Sequence, residues 1–93
     1  MPNLLQSVEK ELNIPKDKLV KEGVKHFLSA ELRHISIEIK QRASRYGADS
    51  FEGLWKKLEA GEVTEEECFD DLSKLEYMEL EKEKIAKLLK KAK

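Results

Sequence analysis

Apolar residues recur three and four positions apart along almost the whole chain, and glycine and proline punctuate them into four blocks. This is the period of an amphipathic helix, and no segment shows the strict alternation of a half-buried strand. In the first block Leu4, Leu5, Val8 and Leu12 share one face, preceded by Asn3, whose side-chain oxygen suits an N-cap. Pro15 disfavours helix at Ile14 and is well placed to open a second helix, because a first turn does not need its missing N–H. From there Val20, Val24, Leu28, Leu32, Ile35, Ile39, Ala43 and Tyr46 form one continuous stripe, and Gly47 stands where a left-handed residue would end the helix. Asp49 and Glu52 have capping-box spacing ahead of a third stripe, Phe51, Leu54, Trp55 and Leu58, which Gly61 closes. Thr64 and Glu67 repeat that spacing before a fourth helix that runs toward the C-terminus. Its apolar positions are Cys68, Phe69, Leu72, Leu75, Met78, Ile85, Leu88 and Leu89, and they drift around the helix, which predicts a change of packing partner near Glu81.

The fold class that follows is all-α. Helices two and four form a long antiparallel hairpin, because their connection is short, and two short additional helices complete a single domain over residues 1–93. A chain of 93 residues has a thin core and often leans on a partner. No apolar run approaches the roughly 18 residues of a membrane span. The stretch Met1-Pro2-Asn3-Leu4-Leu5-Gln6 lacks the basic head and apolar core of a signal peptide, and the lone Cys68 suits a reducing compartment, so the expected location is cytoplasmic. Lysine and glutamate number 15 each against two asparagines and two glutamines, a thermophile-like composition.

The net charge of −1 argues against a generic nucleic-acid binder, but charge is unevenly placed. Residues 62–83 carry ten acidic and two basic side chains, whereas residues 84–93 carry five lysines and no acid. Acids at a helix start and lysines at its end both suit the helix dipole. The functional alternative is an acidic surface that meets a basic partner, such as an RNA-binding or RNA-cleaving protein. The lysine tail has no aromatic residue on which a base would stack, so nucleic acid is not the expected partner.

Helix two carries a second set of large apolar residues. Leu19 and Ile37 point roughly opposite the main stripe, with Gly23, Phe27 and Ala30 on or near that side. Either the short first helix covers them or another chain does, whether a second copy in a homodimer or a different protein. Tyr46, Phe51 and Trp55 cluster at the turn around Gly47, as the core of the hairpin end or as an aromatic anchor for a partner. The candidate interface residues are therefore Leu19, Phe27, Ile37, Tyr46, Phe51 and Trp55.

Chemistry offers less. Glu31 and His34, at i and i+3, could share one metal as in ferritin-like di-iron proteins, with Glu38 one turn on. A di-iron site needs two such pairs and two more glutamates, so a symmetric oligomer would have to complete it; the rival reading is a charged helix surface. His26 and His34 lie about 12 Å apart along a helix and cannot share an ion within one chain. Cys68 follows three glutamates and sits in the apolar stripe, which suits a buried structural thiol. No phosphate loop, zinc-ligand pattern or nucleophile elbow is present, and neither a catalytic residue nor a cofactor is expected.

From Glu31 onward the chain resembles a family of small helical archaeal and bacterial proteins regarded as antitoxins. The pattern is a charged helix ending in Arg45-Tyr46-Gly47, then Phe51-Glu52 in a short helix and the turn Leu58-Glu59-Ala60-Gly61-Glu62. The acidic stretch Glu65-Glu66-Glu67 and Asp70-Asp71-Leu72 follows and leads into Leu75-Glu76-Tyr77. The resemblance implies an all-helical, non-enzymatic protein that neutralises a partner toxin, often RNase-like or nucleotidyltransferase-like, through helical contacts. It supplies no catalytic residues. The chain departs from many antitoxins in lacking a ribbon or helix-turn-helix module, so operator binding is not expected. The rival functions are a metal-binding ferritin-like homo-oligomer using Glu31 and His34, and a structural homodimer with a nucleic-acid-binding lysine tail.

Overall fold

A computed structural model describes residues 3–92 as four helices: α1 (Leu4–Leu12), α2 (Lys16–Ser44), α3 (Phe51–Glu59) and α4 (Glu65–Lys91). Met1 and Pro2, which entered the leader argument, and Lys93 of the lysine tail lie outside the described residues. No strand occurs among those described.

Local sequence explains where the helices begin and end. Asn3 caps α1 by accepting the Gln6 N–H at 2.8 Å. Thr64 caps α4 by accepting the Glu67 N–H at 3.3 Å, and its hydroxyl donates to the Glu67 carboxylate at 2.9 Å. Three acidic residues in the first turn of α4 and two lysines in its last turn complement the dipole. Gly47 and Gly61 both have positive φ, 74° and 78°. Each closes a helix in the Schellman manner: Ala48 N–H donates to the Ala43 carbonyl and Gly47 N–H to Ser44, and likewise Glu62 to Lys57 and Gly61 to Leu58.

Three boundary expectations need correction. Pro15 is the residue before α2, with extended ψ of 139°, and the helix opens at Lys16. The same helix ends at Ser44, because the Gly47 cap turns the chain over Arg45 and Tyr46. Ser50, not Asp49, caps α3: its hydroxyl accepts the Gly53 N–H at 3.1 Å, while Glu52 pairs with Lys56 one turn along.

α2 and α4 lie antiparallel, α3 folds over the end where they are joined, and α1 returns along the start of α2. The result is an elongated body of 61 × 26 × 16 Å. The buried residues are Ile39, Ala43, Leu54, Cys68, Leu72 and Leu75, with Ile35, Tyr46, Ala48, Phe51, Leu58, Val63 and Met78 packed partly against them. All six sit at the joined end. Along residues 16–34 of α2 and 79–91 of α4, the arms of the hairpin, no side chain is fully buried. The continuous stripes expected from periodicity are accordingly only partly used. Val20 and Val24 are 46 % and 48 % exposed, Phe69 56 % and Leu88 50 %.

Candidate interaction surfaces

At the joined end a polar cluster locks α2 to α4. Asp71, on the margin of the α4 apolar stripe, accepts from Arg42 Nη1 at 2.6 Å and from the Tyr46 hydroxyl, with Arg45 Nη1 at 3.8 Å. The Glu67 carbonyl lies 3.1 Å from the same hydroxyl, as a second acceptor sharing its single proton. The hydrogen bond from Tyr46, supported by the two arginines, holds the Asp71 carboxyl below its ordinary range. The same bond and partial burial push Tyr46 up to about 12. Cys68 lies beneath, fully buried, its thiol pushed up by burial and by the neighbouring Glu67. This fits an inert structural thiol.

The six residues singled out from sequence do not form one surface. Leu19 is half-buried and shares a shallow hollow with Leu4, Leu5, Val8 and Gly23, so α1 covers that side of α2. Ile37 stands apart, 47 % exposed, on the side of α2 away from α4. Tyr46 is engaged within the chain by Asp71. Phe51 and Trp55 stack at 6.3 Å between centroids with an 18° interplanar angle, Phe51 partly buried and Trp55 44 % exposed. Phe27 is 63 % exposed and falls in line with Val20 and Val24 at i, i+4, i+7, which makes an apolar stripe on α2 beside α1.

Two further features were not apparent from sequence. Glu79 of α4 accepts the Phe51 N–H at 2.6 Å and so caps α3 from another helix. Phe51, Leu80, Glu76, Glu79 and Glu83 line a hollow there with an apolar floor and an acidic rim. Beyond it the outward face of α4 leaves Tyr77 64 % and Leu80 54 % exposed. The spacing of Tyr77 and Leu80 was the available signal, because neither belongs to the stripe that turns toward α2.

Of the metal candidates, Glu31 is half-buried while His34 and Glu38 are exposed. Among the described residues no three histidine, cysteine, aspartate or glutamate side chains converge to hold an ion. None of the helices described is long and apolar enough to cross a membrane.

The fold thus defines a helical hairpin, cored at one end and apolar on its open faces. The chain belongs to the family described as the Uncharacterized protein MJ0235 family, whose profile spans residues 1–93. It is similar to "Uncharacterized protein MJ0235" of Methanocaldococcus jannaschii, at 32 % identity over 74 residues, covering 80 % of this chain and 90 % of the relative. No solved structure matches it. The resemblance drawn from sequence therefore holds only as far as an uncharacterised family with an archaeal member, and the antitoxin character it implied is not part of what the comparisons support.

Proposed function

We propose that this chain is a non-enzymatic interaction protein that binds a partner protein along the first half of α2. The observation that carries the reading is the stripe of Val20, Val24 and Phe27, each 46–63 % exposed, on a molecule with only six buried hydrophobic side chains among the described residues. Isolated exposed apolar residues are ordinary, but three in register along one helix face form the groove-filling pattern used in helix recognition. Phe27 is the natural anchor, since aromatic side chains dominate interface energetics.

The finer reading is that the partner is a toxin and this chain its antitoxin. It is supported by the Arg45-Tyr46-Gly47 to Leu75-Glu76-Tyr77 pattern and by the acidic start of α4, which suits a basic partner. Affinity capture from lysate of the source organism tests the first step. A protein recovered in stoichiometric amount by the wild-type chain, and lost with Val24→Asp or Phe27→Asp, is the expected result. Truncation by Phe27→Ala should weaken the purified complex by about 30-fold, the effect of a hot spot near 2 kcal/mol. Capture of no specific protein would end the interaction reading. A captured protein that does not arrest growth alone, or whose arrest this chain does not relieve, would end the toxin reading only.

A further inference from the structure

The outward face of α4 carries a seven-residue repeat separate from the stripe that packs on α2. Its positions are Glu66, Asp70, Ser73, Tyr77, Leu80, Lys84, Lys87 and Lys91, alternating four and three apart, and every one is exposed. This is the spacing of a coiled-coil seam, in which side chains keep facing a second helix along the whole length. The contents are ordered: acidic at the start, apolar at the centre, basic at the end. Reversed upon itself, the list becomes its own complement. Two copies of α4 laid antiparallel about a twofold between Tyr77 and Leu80 place Glu66 against Lys91 of the second copy, Asp70 against Lys87, Ser73 against Lys84 and Tyr77 against Leu80. Symmetry then repeats every pair.

We infer that this face is the contact between two copies of the chain, joined antiparallel through α4. The occupant is a second copy because the charge pattern demands a helix that is basic where this one is acidic and acidic where it is basic, with apolar residues at its middle. This helix supplies that pattern itself, and an isologous contact requires such self-complementarity. A parallel pairing would set Glu66 and Asp70 against their own copies, and the lysines likewise. The seam is about 38 Å long at 1.5 Å per residue. The hollow between Phe51 and Leu80 borders its centre, which extends the apolar contact onto α3. Joining two thin hairpins here leaves the Val20–Phe27 stripe free on the other helix. The inference rests on reading the chain as an interaction module, yet it concerns a different face and a different partner.

Charge exchange tests both the contact and its register, on purified protein with no partner present. The wild-type chain should sediment at twice its 10.8 kDa mass. Lys87→Glu with Lys91→Glu makes both ends of the repeat acidic, and Glu66→Lys with Asp70→Lys makes both ends basic. Each double variant should run as a folded monomer, its helicity checked by circular dichroism, and an equimolar mixture should recover a dimer containing one of each. In a second measurement, a chain with Tyr77→Cys and Leu80→Cys should form an intermolecular disulfide on mild oxidation. A wild-type monomer or an assembly larger than two would overturn the inference. So would a dimer that persists in either variant alone, a mixture that stays monomeric, or failure of the cysteine pair to cross-link. None of these bears on capture of a different protein by α2, so the two readings fail separately.

Discussion

Asp71 is the residue on which the joined end turns. Its carboxylate answers an arginine of α2 and a tyrosine of the turn that follows it, so it fastens the two long helices at one point. Hydrogen bonds to a charged group contribute about 1.5–3 kcal/mol each, and losing one exposes the others to rearrangement. Asp71→Asn should therefore cost about 2 kcal/mol in urea unfolding, and a loss under 0.5 kcal/mol would make the cluster decorative. The pH dependence follows from the two shifts. Asp71 lies below its ordinary value in the fold, so its contribution is present above the usual carboxylate range and fades as pH falls through the lowered value. Tyr46 is raised from 10.0 to about 12, so its contribution is present below pH 10 and fades as pH rises toward 12. In a Tyr77→Phe background, tyrosinate absorbance should report Tyr46 alone, titrating near 12, and Asp71→Asn should move it down toward 10. A midpoint near 10 with Asp71 intact would refute the bond. Sequence reading left Tyr46, clustered with Phe51 and Trp55 at the turn around Gly47, as core of the hairpin end or as an anchor for a partner, and its ring packs partly against the core. The partner of its hydroxyl lies 25 positions away, and only the register of the hairpin brings the two together.

At the scale of elements, the sequence was read nearly to the residue, because caps and stripes are local. Asn3, Thr64, Gly47 and Gly61 each do what their side chain or backbone freedom dictates. Ser50 was missed since Asp49 and Glu52 mimic the same spacing one position earlier, and Glu79 was missed since no local rule reveals a cap donated by another helix. Glu79→Gln retains an acceptor but loses the charge at the start of α3, and should cost well under 1 kcal/mol. Glu79→Ala, which leaves the Phe51 N–H without its partner, should cost about 1 kcal/mol. Equal losses would show that charge, not the bond, matters. The glycines offer a contrast. Gly47 sits at positive φ, where Ala is strained, so Gly47→Ala should destabilise by about 1 kcal/mol or more. Gly23 is an ordinary helical residue with open space where a Cβ would go, so Gly23→Ala should stabilise by about 0.5–1 kcal/mol. Thermal unfolding of the two variants should shift in opposite directions.

For the whole molecule, what periodicity could not show is where the core stops. The spacing of Val20, Val24, Leu28 and Leu32 identifies an apolar side of α2 but not whether anything lies against it, and half of that side is left open. Burial at one end makes stability uneven along the long axis. Amide exchange should be slowest around Ala43, Leu54, Leu72 and Leu75 and faster by orders of magnitude toward Lys16 and Lys91, since opening of the arms disturbs no fully buried side chain. Uniform protection from end to end would contradict this. Leu75→Ala, at a fully enclosed site, should cost about 2–5 kcal/mol, a large share of the 5–15 kcal/mol that holds a typical domain together.

The six buried side chains all fall between Ile39 and Leu75. The loops that must close for them to meet therefore range from about a dozen residues, Ala43 to Leu54, to about three dozen, Ile39 to Leu75, and their entropy cost grows only slowly with length. Folding is then expected to begin at the turn and to proceed outward along both arms, and φ-values higher at Leu54 and Leu72 than at Leu28 would show that order. The arms arrive last and commit least to the native state. Substitutions there should accelerate unfolding while leaving the folding rate nearly untouched, so selection can rewrite the exposed apolar residues of the arms without slowing the step that makes this hairpin a protein.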